Sequence, residues 1–502
     1  MQAPRQDAPG TRRPPSTVID SGPITGSIVD AGGRGVSHYG GVPFATADRF
    51  GVPRTPAPWA EPRRCDAPGA APPQLTAGLD LVPGMVPPAT SEDFLSAEVW
   101  TPAGPFPAPG ESRPVLVWIP GGSFRVGGAS LPTYDGRWIA AEHDVVVVGL
   151  NYRLGLLGFL AAPGVPSNLG LRDLLAALDW VRRNAPAFGG DPQRIVLVGE
   201  SAGAGAILHL LTRPDLPVSR AIVFSGSATM TQDEATAAEI ASRTLELAGV
   251  VGIDEWRTLP VDAILAAQQA AVERLAGRFG MMIQHPWVDG DVVPRSPLEA
   301  AAEGALAPVP LVVGTTADEM ELFRANVPVL PVGHAVRMLA PRAAALGLDP
   351  VDVGRGLAAC GDDLVSAVAD VDLHLPALVL AESHARRGLP VWRARFGWRS
   401  PQRGACHALD LPFHFGTLDV DRWREFAGAG GQDAADADRL SSRLRAAWAA
   451  FARTGVPASE PLGEWPAWTP GGKVISLGRR LEVVDDPDAA RLGIWRRRTH
   501  SA

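Results

Sequence analysis

The stretch from Arg194 to Gly205 constrains this chain more than any other. An apolar, β-branched run, Ile195-Val196-Leu197-Val198, leads into Gly199-Glu200-Ser201-Ala202-Gly203 and then into small residues as far as Gly205. The run reads as a buried strand, and the small residues can open a helix. A Gly-x-Ser-x-Gly pattern at such a junction is a nucleophile elbow. The turn is so sharp that the positions two before and two after the serine have no room for a side chain. It lifts Ser201 out of the sheet and aims the helix N-terminus, with its unpaired N–H groups, at whatever the serine attacks. With 55 glycines in the chain, the five residues alone describe a glycine-flanked loop serine equally well. The strand in front, and the single occurrence of the pattern in 502 residues, favour the elbow.

An elbow needs a mostly parallel sheet around it, and the sequence alternates accordingly. Val115–Ile119 reads as a buried strand ended by Pro120-Gly121-Gly122. The segment 144–150, with four consecutive valines, reads as a central parallel strand. Residues 169–184 carry Leu171, Leu174, Leu175, Leu178 and Val181 at helical spacing. After the elbow come Ala221–Phe224, Pro310–Gly314 and Val391–Phe396 as further strands. The pattern predicts an α/β fold with helices on both faces of the sheet. Two intervals, about 228–306 and 324–388, are Ala/Leu/Glu/Arg-rich and read as helical insertions capping the strand C-termini, the edge where such sheets carry their sites. A helix over 437–454 closes the domain. Residues 1–18 read as a disordered tail, 19–502 as one catalytic domain, 18–45 as a small antiparallel start, and 53–88 as an extended surface loop.

Composition limits what such a domain can do. A net charge of −8, with no basic stripe, argues against nucleic-acid binding. No apolar run reaches the 18 or so residues of a membrane span, and residues 1–15 lack the apolar core of a secretory leader. Cys65, Cys360 and Cys406 are too few for a disulfide framework, so free thiols in a cytoplasmic, reducing setting are expected. The glycine-rich stretches do not read G-x-G-x-x-G, and Lys473 is in no phosphate-binding loop. The scattered histidines form no metal motif. No cofactor or metal is expected, and oligomeric state is open.

A serine nucleophile needs a base, an acid that orients the base, and an oxyanion hole. In elbow hydrolases the order along the chain is serine, acid, histidine. Asp318 and Glu319 both follow the Pro310–Gly314 strand, and His407 and His414 both follow Val391–Phe396; spacing alone leaves each choice open. Backbone N–H groups of the stretch Gly121-Gly122-Ser123-Phe124, straight after the Val115–Ile119 strand and Pro120, joined by that of Ala202 after the serine, are the natural source of an oxyanion hole.

Taken together, these residues resemble the type-B carboxylesterases, a family that includes bacterial nitrobenzyl esterases, liver carboxylesterases and cholinesterases. The likeness runs from about residue 18 to 500. It is carried by Val42-Pro43-Phe44-Ala45, Tyr134-Asp135-Gly136, Leu150-Asn151-Tyr152-Arg153-Leu154-Gly155, Asn168-Leu169-Gly170-Leu171, Phe188-Gly189-Gly190-Asp191-Pro192, the elbow, Phe224-Ser225-Gly226-Ser227 and Val288-Asp289-Gly290. The resemblance implies an α/β-hydrolase fold and a serine carboxylic ester hydrolase that passes through an acyl-enzyme on a small to medium ester. It selects Glu319 over Asp318 and His407 over His414 as partners of Ser201. It places oxyanion donors on Gly122, Ser123 and Ala202, and Glu200 and Ser225 near His407 as supports. Phe124, Trp287 and Phe323 are candidate pocket walls. The chain departs from the family at Pro120, where a histidine or aromatic is usual, at Ser123, where glycine is common, and at Phe94, where members with an early disulfide have cysteine. Two other readings stand beside this one: an inactive, cholinesterase-like binding module, and a narrow-specificity carbamate or natural-product esterase. The presence of Ser201, Glu319 and His407 together weighs against the first.

Overall fold

The computed structural model describes residues 14–496 apart from 77–81, 88, 106–110, 251 and 281. Its centre is an 11-stranded sheet. In chain order the strands are β1 (Ser27–Ala31), β2 (Arg34–Pro43), β3 (Ser96–Pro102), β4 (Arg113–Ile119), β5 (Val146–Leu150), β6 (Gly190–Glu200), β7 (Arg220–Phe224), β8 (Leu311–Thr316), β9 (Val391–Phe396), β10 (Val474–Leu477) and β11 (Leu481–Val484). Across the sheet they run β11-β10-β9-β8-β7-β6-β4-β5-β3-β2-β1. The strands from β5 to β10 in that order are parallel, and the outer strands at both edges pair antiparallel.

Period-two alternation divides the core. Val115, Val117, Ile195, Leu197, Ala221, Val223, Leu311 and Val313 face one way and pack against α1 (Leu169–Asn184) and α2 (Ala202–Leu210). Leu116, Trp118, Val196, Ile222, Val312 and Trp392 face the other way. They meet Leu440, Leu444, Trp448 and Phe451 of a long C-terminal helix, Ala434–Thr454. A sheet covered on both faces is why its central strands read as continuous apolar runs. The fold is the α/β-hydrolase fold. The two insertions are largely helical: Glu234–Ala248, Ile253–Thr258, Val261–Phe279 and Pro297–Ala302 in the first, and Val332–Ala344, Pro350–Ala359 and 364–386 in the second.

Three expectations need correction. Part of the anticipated tail, Ser16–Val18, belongs to a strand, Ser16–Ile19, that pairs with Gly22–Thr25; residues 1–13 lie outside the described residues. The stretch 53–88 is not simply surface. Cys65 and Ala71–Gln74 are buried, and the Gln74 side chain exchanges hydrogen bonds with the backbone of Gly127. Residues 364–386 form one continuous helix, α3, which by length and composition alone is long and apolar enough to cross a membrane, with 83% of its most apolar stretch buried inside the protein. Asp370, Asp372 and His374 interrupt the apolar run in sequence, and the fold buries all three along with the apolar residues around them.

Candidate active site

The elbow has the steric form that its glycines require. Ser201 sits at φ 55°, ψ −127°, between the end of β6 and the start of α2. A Cβ on Gly199 would lie 2.7 Å from the carbonyl carbon of Gly203, and one on Gly203 would lie 2.0 Å from the carbonyl oxygen of Ile119 in β4. Strand, turn and helix therefore close on one another only without side chains at those positions. The Ser201 N–H is fixed by the Phe224 carbonyl at 2.9 Å. Of the nine non-glycine residues at positive φ among those described, Ser123, Phe124, Ser201, Ser225 and Ala408 surround this turn. Strain of this kind concentrates where function over-determines the backbone.

β8 and the loop after β9 deliver the partners. The Ser201 Oγ is 2.7 Å from His407 Nε2, and His407 Nδ1 is 2.8 Å from Glu319 Oε2. Glu319 opens a short 3-10 helix, Glu319–Asn326, immediately past β8 and is wholly buried. Its other carboxylate oxygen accepts from the Ser225 hydroxyl at 2.7 Å and from the Thr316 N–H at 2.8 Å. Its main-chain carbonyl accepts the His407 N–H at 3.0 Å. The neighbouring acid has a different task. The Asp318 carboxylate accepts the Ala405 N–H at 2.7 Å, while the Asp318 N–H donates to the Ala405 carbonyl at 2.9 Å. Asp318 thus ties the histidine loop to the acid loop, and Glu319 faces the ring.

Glu200 lies with one oxygen 3.2 Å from His407 Nε2. Burial, reinforced by Asp410 and Glu319 against the pull of His407, pushes the Glu200 carboxyl up to about 8. Burial pulls His407 down, but the carboxylates of Glu200 and Glu319 outweigh it and raise the imidazole to about 9. The hydrogen bond and charge of His407, with smaller contributions from His374 and Ser225, overcome burial and hold Glu319 below the usual carboxylate range.

The loop after β4 faces the same turn. A Cβ on Gly121 would lie 3.1 Å from the Ser201 Cβ. Gly122 adopts φ 120°, where a Cβ would meet the Val126 carbonyl oxygen at 2.1 Å, so this position requires glycine. Ser123 and Phe124 follow in the left-handed region at φ 56° and 57°. Among the described residues the N–H groups of Gly122 and Ser123 have no hydrogen-bond acceptor, and that of Ala202, the first residue of α2, has none within its helix. Pro120, which has no N–H, contributes its carbonyl instead, accepting from the Tyr152 hydroxyl at 2.9 Å.

The supports and walls divide differently from expectation. Ser225 touches Glu319, not His407. Phe124 is fully buried; its ring packs edge-on to Phe159 and lies 3.5 Å from where a Cβ on Gly205 would stand, so it is a core residue beneath the elbow helix. Trp287 is also buried, and its backbone is tied to the Asn168 side chain. Phe323 alone among the three reaches the triad, its ring 5.7 Å from that of His407. Sequence reasoning missed the Thr316 N–H, whose only signal is its place at the end of the strand that delivers Glu319.

The chain is similar to known proteins along most of its length. A model of the carboxylesterase family matches residues 13–331 and 355–495. The chain is 34% identical over 485 residues to the para-nitrobenzyl esterase of Bacillus subtilis (strain 168), covering 91% of this chain and 94% of that protein. It is 32% identical over 475 residues to the fumonisin B1 esterase of Sphingopyxis macrogoltabida, covering 89% and 84%. A solved PNB esterase superposes with a TM-score of 0.82 at 30% identity, covering 96% of this chain and 99% of that one.

Proposed function

The chain belongs to the carboxylesterase family and is an ester hydrolase; from that premise we propose that Ser201, His407 and Glu319 are its catalytic triad and that it acts through an acyl-enzyme on small to medium esters. The observation that carries the proposal is the unbroken pair of contacts from Ser201 Oγ through both ring nitrogens of His407 to Glu319.

In the first half-reaction His407 Nε2 takes the proton of Ser201 as Oγ attacks the ester carbonyl carbon. The carbonyl oxygen becomes an oxyanion, held by the N–H groups of Gly122, Ser123 and Ala202. The carbon–alkoxide bond breaks, and the leaving alcohol takes the proton from Nε2. In the second half-reaction Nε2 takes a proton from water, hydroxide adds to the acyl carbon, and collapse returns that proton to Ser201 with release of the carboxylic acid. Glu319 stays ionised throughout. It fixes the tautomer that leaves Nε2 free and stabilises the imidazolium formed in each step.

The Phe323 ring, 5.7 Å from that of His407, is the wall we assign to one flank of the ester. Free Cys65, Cys360 and Cys406 are consistent with a cytoplasmic, reducing location. Burial pushes the Cys65 and Cys406 thiols up to about 11 and about 12, which makes them inert in that setting. No nucleic acid, membrane, metal or cofactor takes part in the proposed reaction.

The test is hydrolysis of p-nitrophenyl esters from acetate to octanoate by the wild type and Ser201→Ala. Turnover by the wild type, falling at least about 10⁴-fold in the variant, is expected. Turnover surviving in Ser201→Ala would overturn the assignment of the nucleophile. A folded wild type that hydrolyses no member of the series, and takes no fluorophosphonate label at Ser201, would overturn the active triad.

A further inference from the structure

Behind the triad acid lies a second buried histidine–carboxylate pair. The α3 helix changes from α to π geometry over Asp370–His374 and back again. Such one-turn π segments recur at functional sites, where they re-aim side chains. Here the turn brings His374 Nδ1 to 2.9 Å from Asp370 Oδ1 and His374 Nε2 to 3.0 Å from the carbonyl oxygen of Thr316. Thr316 is the last residue of β8, and its own N–H donates to Glu319. His374 is therefore two hydrogen bonds from the triad acid, through one residue.

The partners decide the protonation state of His374. A carbonyl oxygen can only accept, so Nε2 carries a proton. The Asp370 carboxylate is wholly buried and already receives Arg491 on Oδ1, Trp495 Nε1 at 2.9 Å on Oδ2, and the Cys360 thiol at 3.4 Å on Oδ2. An oxygen pair receiving an arginine and an indole N–H is an ionised acceptor, so Nδ1 carries a proton too. The geometry thus places both ring nitrogens of His374 as donors, one to Asp370 and one to the Thr316 carbonyl.

We propose that His374, held as an imidazolium by Asp370, is a positioning residue of the triad: it clamps the Thr316 carbonyl at the end of β8 and places a fixed positive charge behind Glu319. This rests on the assignment of Glu319 to the triad, and the test keeps the two apart. The chain of contacts runs outward through Asp370 to Arg491 and Trp495 on the helix Ala489–Trp495, so that helix braces the site although it lies more than a hundred residues beyond the acid. The other charged groups around the pair are accounted for. Asp372 is paired with Arg342 from the helix Val332–Ala344, and Arg491 is also paired with Asp488. On the triad side stand Glu319, His407 and Glu200. A cation behind Glu319 tempers the hold of that carboxylate on the His407 imidazolium and keeps the ring available as a base.

Two measurements test this. The first compares wild type with His374→Gln, which keeps an N–H donor and loses the charge, using a p-nitrophenyl ester and rates divided by active sites titrated with a fluorophosphonate. The expected result is a fall in kcat of about tenfold with KM little changed. The acid limb of kcat/KM should also move to higher pH by about half a unit, because Glu319 then binds the His407 proton more tightly. A kcat per titrated site within twofold of wild type, with the limb unmoved, would overturn the proposal. The second needs no variant: in the ¹⁵N-histidine-labelled wild type, both ring nitrogens of His374 should show protonated shifts from pH 6 to 8. A neutral tautomer in that range would overturn it even if His374→Gln fails to fold. Failure of the triad assignment itself would appear separately, as Glu319→Gln with wild-type turnover.

Discussion

His407 and His414 lie seven residues apart, both buried and each paired with a carboxylate, yet only one faces the serine. The difference is in the second nitrogen. His414 Nε2 bonds Asp410 at 2.9 Å, and its Nδ1 accepts the indole N–H of Trp448 at 2.9 Å, so no position remains for an incoming proton. His407 offers its second nitrogen to a hydroxyl, which can give a proton up. The pairs also differ in how they are made. Asp410 and His414 are four residues apart, as are Asp370 and His374, and helical geometry alone brings them together. Glu319 and His407 are 88 residues apart and meet only because β8 and β9 are adjacent parallel strands. Local pairs here reinforce the frame, and the long-range pair does the chemistry.

The largest expected effect tests that distinction. His407→Gln should lower kcat by about 10⁴-fold while the protein remains folded. His414→Gln should leave kcat per titrated site within a few-fold and cost about 1–3 kcal/mol of stability, because it strands Asp410 and the Trp448 N–H in the core. Kinetics on titrated sites, beside urea unfolding, measures both. Equal losses of kcat in two folded variants would erase the difference between the pairs.

Much of this was legible in the chain. Residues 169–184 and 391–396 form the helix and strand that periodicity marks out, and the elbow fixes the place of Ser201. Two of the features that were hidden share one physical cause: buried charge looks like surface in a sequence. β3 was overlooked because Glu98 interrupts it, although that carboxylate is buried and accepts from the Gly41 and Gly69 N–H groups and pairs with His38. The charged residues of α3 hid its continuity in the same way. The choice between Asp318 and Glu319 could not come from spacing, since it depends on which carboxylate β8 turns toward a loop far along the chain. Phe124 was misplaced because a left-handed backbone turns it under the elbow, and nothing in the letters Gly-Gly-Ser-Phe announces that turn.

A comparison of four buried histidines sharpens the point. Burial depresses His209, His285 and His384 to about 4, where no carboxylate compensates. His407 is raised to about 9 because the carboxylates of Glu200, Glu319 and Asp410 do. The consequences for stability have opposite signs. In unfolded chains each of the three depressed histidines takes up a proton near pH 6.5, which the folded state refuses until about pH 4. Their contribution is thus full above pH 6.5 and lost as pH falls toward 4, up to about 3 kcal/mol each. That of His407 is full below pH 6.5 and lost as pH rises through about 9. The urea midpoint should fall between pH 6.5 and 4, and His209→Gln should make that fall shallower by one proton's worth. An unchanged slope in the variant would show that His209 titrates normally in the fold.

The smallest effect separates the two carboxylates at His407. Glu319 bonds Nδ1 and orients the ring; Glu200 stands at the other nitrogen and adds charge without a position of its own in the proton path. Glu200→Gln removes that charge and leaves the triad geometry in place. The imidazolium is then less favoured, so His407 loses its proton at lower pH, and the acid limb of kcat/KM should move down by about one unit. At neutral pH and above, kcat should change only a few-fold. A limb that stays where it is would mean that Glu200 is already protonated when His407 titrates, so that Glu319 alone sets the basicity of the ring. A limb that moves upward would contradict the assignment of Glu200 as a carboxylate facing the imidazole.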